Sequence, residues 1–200
     1  VSHVAGLLLA AGAGRRYGMP KALVPLDGEL LVDRAARTLT AGGCDSVLVV
    51  LGAAAAEVRA RAALTGADVV VNDDWPSGMG SSLRAGLSAL ATRPEVDAAL
   101  VLLVDLPGMT AAGVARLVAA GGRDALAMGG YGDRRGHPVL LGRDHWAGVA
   151  ALADGDVGAR PYLRAHRDAV RVVPVGDVAS DEDLDVPAVS GTQNEDQSAS

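Results

Sequence analysis

Residues 7–21 read LLLAAGAGRRYGMPK, an apolar run followed by Gly12, Gly14 and Gly18, two arginines and Lys21. Glycines let backbone N–H groups approach an anion closely, and basic side chains add charge, so the stretch suits a polyphosphate. Two familiar phosphate loops do not fit it. A Walker loop needs a Ser or Thr after its lysine, where this chain has Ala22. A dinucleotide fingerprint begun at Gly12 and Gly14 needs its third glycine at the position of Tyr17. What remains is a glycine loop with Arg16 and Lys21 as its charges, and glycines alone would equally make a generic turn. Lys21 is distinctive, because it is the sole lysine among 18 basic residues. A compact ammonium and a planar guanidinium fork are not interchangeable, so a lone lysine here points to a need for a point charge.

Other residues able to do chemistry lie further along. Asp105 ends the apolar run AALVLLVD. A carboxylate at the carboxyl end of a strand can meet a hard cation and phosphate oxygens together, although capping a turn is a frequent use of Asp in such a place. His137 stands in RRGHPVLL, where a structural histidine in a turn fits as well as a ligand-binding one. Asp185 belongs to the acidic stretch DEDLDVP, of a kind that is usually solvated. Cys44 lies between GG and DSVLVV and reads as buried filler; as the only cysteine it excludes an internal disulfide and a Cys-based zinc site.

The elements that must position these residues alternate. VAGLLLA (4–10), SVLVVLG (46–52), ADVVVN (67–72) and AALVLLVD (98–105) read as strands buried on both faces. Helical stretches are expected at 29–41, closed by Gly42 and Gly43; at 53–64; at 81–91, with Ser81 and Ser82 as caps; and from Thr110 to Gly121. This order predicts βαβ units, a mostly parallel sheet and right-handed crossovers, a single α/β domain of Rossmann-like, three-layer organisation. In an open sheet of that kind ligands lie beyond the carboxyl ends of the strands, where the first strand delivers the glycine loop. The second half is less regular: two strands around a glycine-rich turn at 124–142, helices at 143–152 and 157–167, and a strand at VRVVPV. The domain is expected to span 1–187, and SGTQNEDQSAS, within 188–200, reads as a polar, disordered tail.

Composition narrows the partners. With a formal charge of −6 and only five aromatic residues, none of them Phe, the chain is poorly suited to grip nucleic acid by phosphate contacts and base stacking. Its apolar runs are short, none approaching the roughly 20 residues of a membrane span, and residues 1–10 lack a basic leader region. A cytoplasmic protein without membrane association is expected.

The opening motif becomes specific when joined to others. LAAGAGRRYGMPK resembles the LAAGxSxRMGxPK signature of the MobA-like nucleotidyltransferases, which include molybdopterin cytidylyltransferases. NDDWPSGMGSSLRAGL (72–87) is similar to that family's NPxWxxGMxSSLxxGL, VLLVDLPGMT (101–110) to its strand ending in Asp before Pro, and RRGHPVLL and DGDVGARPYL (154–163) to its GxRGHPVLF and GDxGAR blocks. The set occurs in order from residue 5 to about 187.

The resemblance implies a GT-A-like nucleotidyltransferase fold and a Mg²⁺-dependent transfer of CMP from CTP to the phosphate of molybdopterin, with release of pyrophosphate. It assigns Leu9, Ala10, Ala11 and Gly12 to the base and ribose, Gly14, Arg16, Lys21, Gly80, Ser81 and Ser82 to the nucleotide, and His137 and Arg160 to the second substrate. Asp105 falls on its magnesium aspartate and Asp185 on a second one; Arg16, Lys21 and Asp105 are the implied catalytic residues. Another phosphorylated acceptor, such as a sugar phosphate, is an alternative, as is a catalytically quiet protein that delivers the molybdenum cofactor to a molybdoenzyme or its chaperone. The chain departs from the pattern in having Val104 where Gly often precedes the aspartate, Tyr17 where Met is common, and Gly80, read as extra freedom before a helix.

Overall fold

The apolar run at the start of the chain forms β1 (Val4–Ala10), buried along its whole length. The computed structural model describes residues 1–185, so the expected end of the domain at 187 and the tail at 188–200 lie outside the described residues. After β1 come a short antiparallel pair, β2 (Pro25–Leu26) and β3 (Glu29–Leu30), and then α1 (Leu31–Ala41), β4 (Ser46–Leu51), α2 (Ala55–Arg61) and β5 (Ala67–Val71). The chain continues through α3 (Met79–Ala91), β6 (Ala98–Leu103), α4 (Ala111–Val118), β7 (Leu126–Tyr131) and β8 (Arg134–Gly142). It closes with α5 (Trp146–Leu152), α6 (Arg160–Ala165) and β9 (Arg171–Pro174).

Seven strands make one sheet in the order β5-β4-β1-β6-β8-β7-β9. β5, β4, β1 and β6 run parallel; β8 is antiparallel to both β6 and β7, and β9 is parallel to β7. The α/β, mostly parallel three-layer fold is therefore present. Side chains alternate across the sheet. On one face Leu8, Val49 and Leu100 pack with Val32 and Leu39 of α1 and Val114 and Leu117 of α4. On the other, Leu7, Leu48 and Val101 pack with Leu83 and Leu87 of α3, Trp146 of α5 and Leu163 of α6. The chain leaves β1 toward β4 and returns through β6 on the other side of β1. This places a topological switch point, and with it a crevice, at the carboxyl ends of β1 and β6.

Several element ends differ from expectation. β5 is an edge strand and only partly buried, because among the described residues no strand pairs with its outer side. Residues 29–30 pair as a strand before α1 begins. α2 covers only part of 53–64, and the Asp33 carboxylate accepts the backbone N–H groups of Ala63 and Leu64 just beyond it, at 3.2 and 2.8 Å. Thr110 caps α4 as expected, its hydroxyl accepting from Gly113 N at 3.1 Å, but the helix ends at Val118. The helix expected at 157–167 is α6 with a separate 3-10 turn at Arg167–Ala169. Ser81 and Ser82 are not caps. They lie inside the first turns of α3, buried, both accepting from the amide of Asn72 at 2.8 and 3.1 Å.

The cap position of α3 belongs to Gly78, whose φ of 116° and ψ of 179° are a backbone region reserved for glycine. A Cβ there would stand 2.5 Å from Gly155 O. Gly80 is required for the same contact rather than for freedom: its N–H donates to Gly155 O at 2.8 Å, and a Cβ would meet Asp154 N at 2.8 Å. Two of the sequence motifs are thus packed backbone to backbone. Gly78→Ala is expected to combine strain of about 1–3 kcal/mol with overpacking of about 1–3 kcal/mol, lowering Tm by several degrees at roughly 2–4 °C per kcal/mol. Gly12→Ala, where a Cβ meets nothing within 4 Å, should leave Tm unchanged. Thermal melts of the two variants check the contrast.

Candidate active site

Two cavities abut at the carboxyl edge of the sheet. The first, of about 380 Å³, is lined by Gly12, Gly14, Lys21, Trp75, Ser82 and Asp105 among others. The second, of about 590 Å³, lies against β8 and α6 and includes His137, Arg160 and Asp181 in its wall. Leu9, Met79, Leu103 and Asp156 face both, so the two are separated by no more than these side chains.

The alternation of β1 decides which of its residues reach the first cavity. Leu9 and Ala11 point to the face covered by α3 and line it; Ala10 is buried on the opposite face, in the core under α1. Beyond β1 the loop is turned by Gly14, with φ of 63° and its carbonyl accepting from Gly18 N at 2.8 Å. A side chain at Gly14 would collide with the backbone of Met19. Gly12 is exposed and open, as a backbone that must approach a ligand would be. Arg15 and Arg16 are both exposed, and of the two only Arg15 lines the cavity. Of α3's three expected nucleotide residues only Ser82 lines the cavity; Ser81 is held by Asp74 O and Gly78 O, and Gly80 by the 153–155 backbone.

Lys21 ends the loop in a short 3-10 turn. Its ammonium donates to Asp105 Oδ2 at 3.1 Å and lies 3.7 Å from Asp185 Oδ1. The side chains of Lys21 and Asp105 are 17 and 22 % exposed, so this pair is largely shielded from water, while Asp185 stands open at 63 %. Asp105 is fixed from its own backbone as well, its carbonyl accepting from Leu184 N at 2.9 Å. Three residues widely separated in sequence are therefore brought to one point. Two hard carboxylates that already converge on one cation fit a magnesium ion, which is commonly held by one or two carboxylates and completes its shell with water and phosphate oxygens. Among the described residues no group of three or more potential metal-binding side chains is present, so protein ligands alone would not enclose an ion.

In the second cavity burial pushes the His137 imidazole below its ordinary 6.5, outweighing the upward pull of the Asp181 and Asp105 carboxylates; Arg160 adds to the lowering. Its backbone carbonyl accepts from the Tyr131 hydroxyl. Asp181 is held bidentately by Arg134 at 2.8 and 2.6 Å, which keeps its carboxyl below the usual range. Cys44 is remote and buried, its thiol pushed up to about 12 by desolvation, in keeping with a filler role. Sequence reasoning missed Arg15, Trp75, Met79 and Asp156. All four sit inside the motifs that were read, and the closeness of Asp156 to Met79 N, at 3.3 Å, becomes visible only once the two motifs are packed.

Residues 6–170 match the sequence model of the MobA-like NTP transferase domain. A nicotine blue oxidoreductase of Paenarthrobacter nicotinovorans is 43% identical over 190 residues, 91% of this chain and 92% of that protein. A molybdenum cofactor guanylyltransferase of Rhizobium johnstonii is 32% identical over 142 residues, 70% of this chain and 62% of that relative. The chain spans less than a third of the length of the bifunctional curated relatives it also matches. Among solved structures, the manganese complex of Rv0371c from Mycobacterium tuberculosis H37Rv is 30% identical with a TM-score of 0.76, covering 92% of this chain and 94% of that one. With the family model matched over most of its length and the glycine loop, Lys21 and Asp105 gathered at one cavity, the chain belongs to the MobA-like NTP transferase domain family.

Proposed function

We propose that the protein transfers a nucleotidyl group from a nucleoside triphosphate to the phosphate of a second small molecule, releasing pyrophosphate. The observation that carries this reading is the adjacency of two cavities, one lined by the glycine loop, Lys21 and Asp105, the other by His137 and Arg160. The triphosphate lies along the open backbone at Gly12, with Arg15 and Lys21 opposing its charge. The acceptor lies across the wall formed by Leu9, Met79, Leu103 and Asp156.

A phosphate monoester is largely dianionic at neutral pH, so the attacking oxygen arrives ionised and no base is needed. The basicity of His137, lowered by burial, is consistent with that. The new P–O bond forms at the α-phosphorus, the bond to the β-phosphate oxygen breaks, and pyrophosphate leaves. The residues mainly align the two phosphates and oppose the charge that develops. Asp105 and Asp185 would hold Mg²⁺, which supplies further neutralisation of the triphosphate when bound. Lys21, which lies against both carboxylates, would oppose the charge of the triphosphate from the same point.

The base is read as cytosine. The Ala11 methyl lines the cavity and reduces the room beside the loop, favouring a pyrimidine. Molybdopterin is one acceptor in keeping with the molybdenum cofactor guanylyltransferases among the relatives, and a sugar phosphate or a phospho-alcohol is an alternative. A second reading has one observation in its favour, the 43% identity to a protein named as an oxidoreductase. It would use the same cavities for a redox pair without any pyrophosphate.

Pyrophosphate release from a panel of triphosphates, tested with molybdopterin and with sugar phosphates, checks the reading. CTP is expected to be used better than GTP by roughly 1–3 kcal/mol, about 5- to 150-fold. Lys21→Ala should abolish turnover, and Lys21→Arg should lose most of it, because a wider fork does not fit between Asp105 and Asp185. Turnover of nicotine blue with an added reductant, with no pyrophosphate from any pair, would replace this reading by the second.

A further inference from the structure

The second cavity carries more positive charge than one phosphate requires. Arg134, Arg135, Arg160, Arg164 and Arg167 line it, against the carboxylates of Asp156 and Asp181. Arg134 is committed to Asp181 in a bidentate pair. Among the described residues the side chains of Arg135, Arg160, Arg164 and Arg167 form neither an ion pair nor a hydrogen bond. Elsewhere Arg37, Arg61, Arg93, Arg116 and Arg123 each meet a carboxylate, while Arg15, Arg16, Arg59 and Arg171, which are likewise unpaired among the described residues, are not gathered around one cavity in such number. In a chain with a net charge of −6, this group of unpaired guanidiniums gathers positive charge around one cavity, a field that favours an anionic ligand there.

Three of the four are placed by one local rule. Arg160 and Arg164 are four residues apart on α6, and Arg167 follows three later in the next turn, so they lie along one side of this segment. All three are exposed, and none lines the nucleotide cavity. A phosphate monoester brings only about −1.5 to −2 charge. Arginine forks match planar carboxylates and phosphates in two-point contacts.

We propose that the acceptor is a two-headed anion: besides the phosphate that receives the nucleotidyl group it carries a second acidic group, a carboxylate or another phosphate, which Arg160, Arg164 and Arg167 bind. The inference rests on the proposed function for the placing of the acceptor in this cavity. It excludes from the best substrates any acceptor whose remainder is neutral.

The test uses calorimetric binding to the full chain of ω-phosphonoalkanoates of increasing length, each paired with the ω-hydroxyalkylphosphonate of the same length. At one length or more the carboxylate compound should bind at least about tenfold more tightly than its neutral partner, the gain expected of a charge-assisted two-point contact. In an Arg164→Gln/Arg167→Gln variant that preference should vanish, while CTP binds as to the wild type. Equal binding of both series at every length, or a preference that survives in the variant, would overturn the proposal. Absence of pyrophosphate release from any triphosphate would remove the nucleotidyltransferase reading instead, and the binding preference would still report on the arginines.

Discussion

A single ammonium, that of Lys21, holds the end of the glycine loop, the carboxyl end of β6 and the last described stretch of chain at one point, through Asp105 at 3.1 Å and Asp185 at 3.7 Å. Removing one partner of a shielded pair leaves the other charge uncompensated, so the contact fixes the loop as much as it binds a ligand. The cluster is also unbalanced: two carboxylates face one ammonium. That surplus of negative charge would suit a divalent cation, with Lys21 beside it to oppose a phosphate. Loop geometry, metal affinity and triphosphate binding are in this way one electrostatic problem.

The sheet explains why the cluster is where it is. β1 and β6 are adjacent, parallel and buried, and the reversal of chain direction across β1 opens a crevice that both strands feed. The antiparallel β7–β8 hairpin then extends the sheet past β6 and supplies the floor of the second cavity, with α6 as its wall. The contact of Gly78 and Gly80 with the 153–155 backbone ties the two cavities together, because Met79 and Asp156, carried by the two touching segments, face both.

Much of this was legible in the sequence. Continuous apolar runs announced the central strands, and Lys21 stood out by composition alone. Asp105 stood out as a carboxylate at the end of an apolar strand, Asp185 gained a role only through the resemblance, and their meeting at Lys21 is a fact of folding that spacing does not encode. The misplacements have local causes. Ala10 was grouped with its neighbours, but a strand sends successive side chains to opposite faces, which removes it from the cavity. Arg15 and Arg16 are adjacent in a loop without periodicity, so nothing in the sequence says which one faces inward. Gly80 was taken for flexibility because the backbone it touches lies more than 70 residues later. The spacing of Arg160, Arg164 and Arg167 was visible, but its meaning depends on the cavity that faces it.

The central claim is that Asp105 and Asp185 act as one cation site opposed by Lys21. Titration of Mn²⁺ followed by electron paramagnetic resonance, with and without CTP, tests it on wild type, Asp105→Asn, Asp185→Asn and the double variant. The account predicts that each single variant binds Mn²⁺ at least tenfold more weakly in the presence of CTP, and that the double variant is little worse than either, because effects within one functional unit are non-additive. Undiminished Mn²⁺ binding by Asp105→Asn, or strictly additive losses, would contradict it.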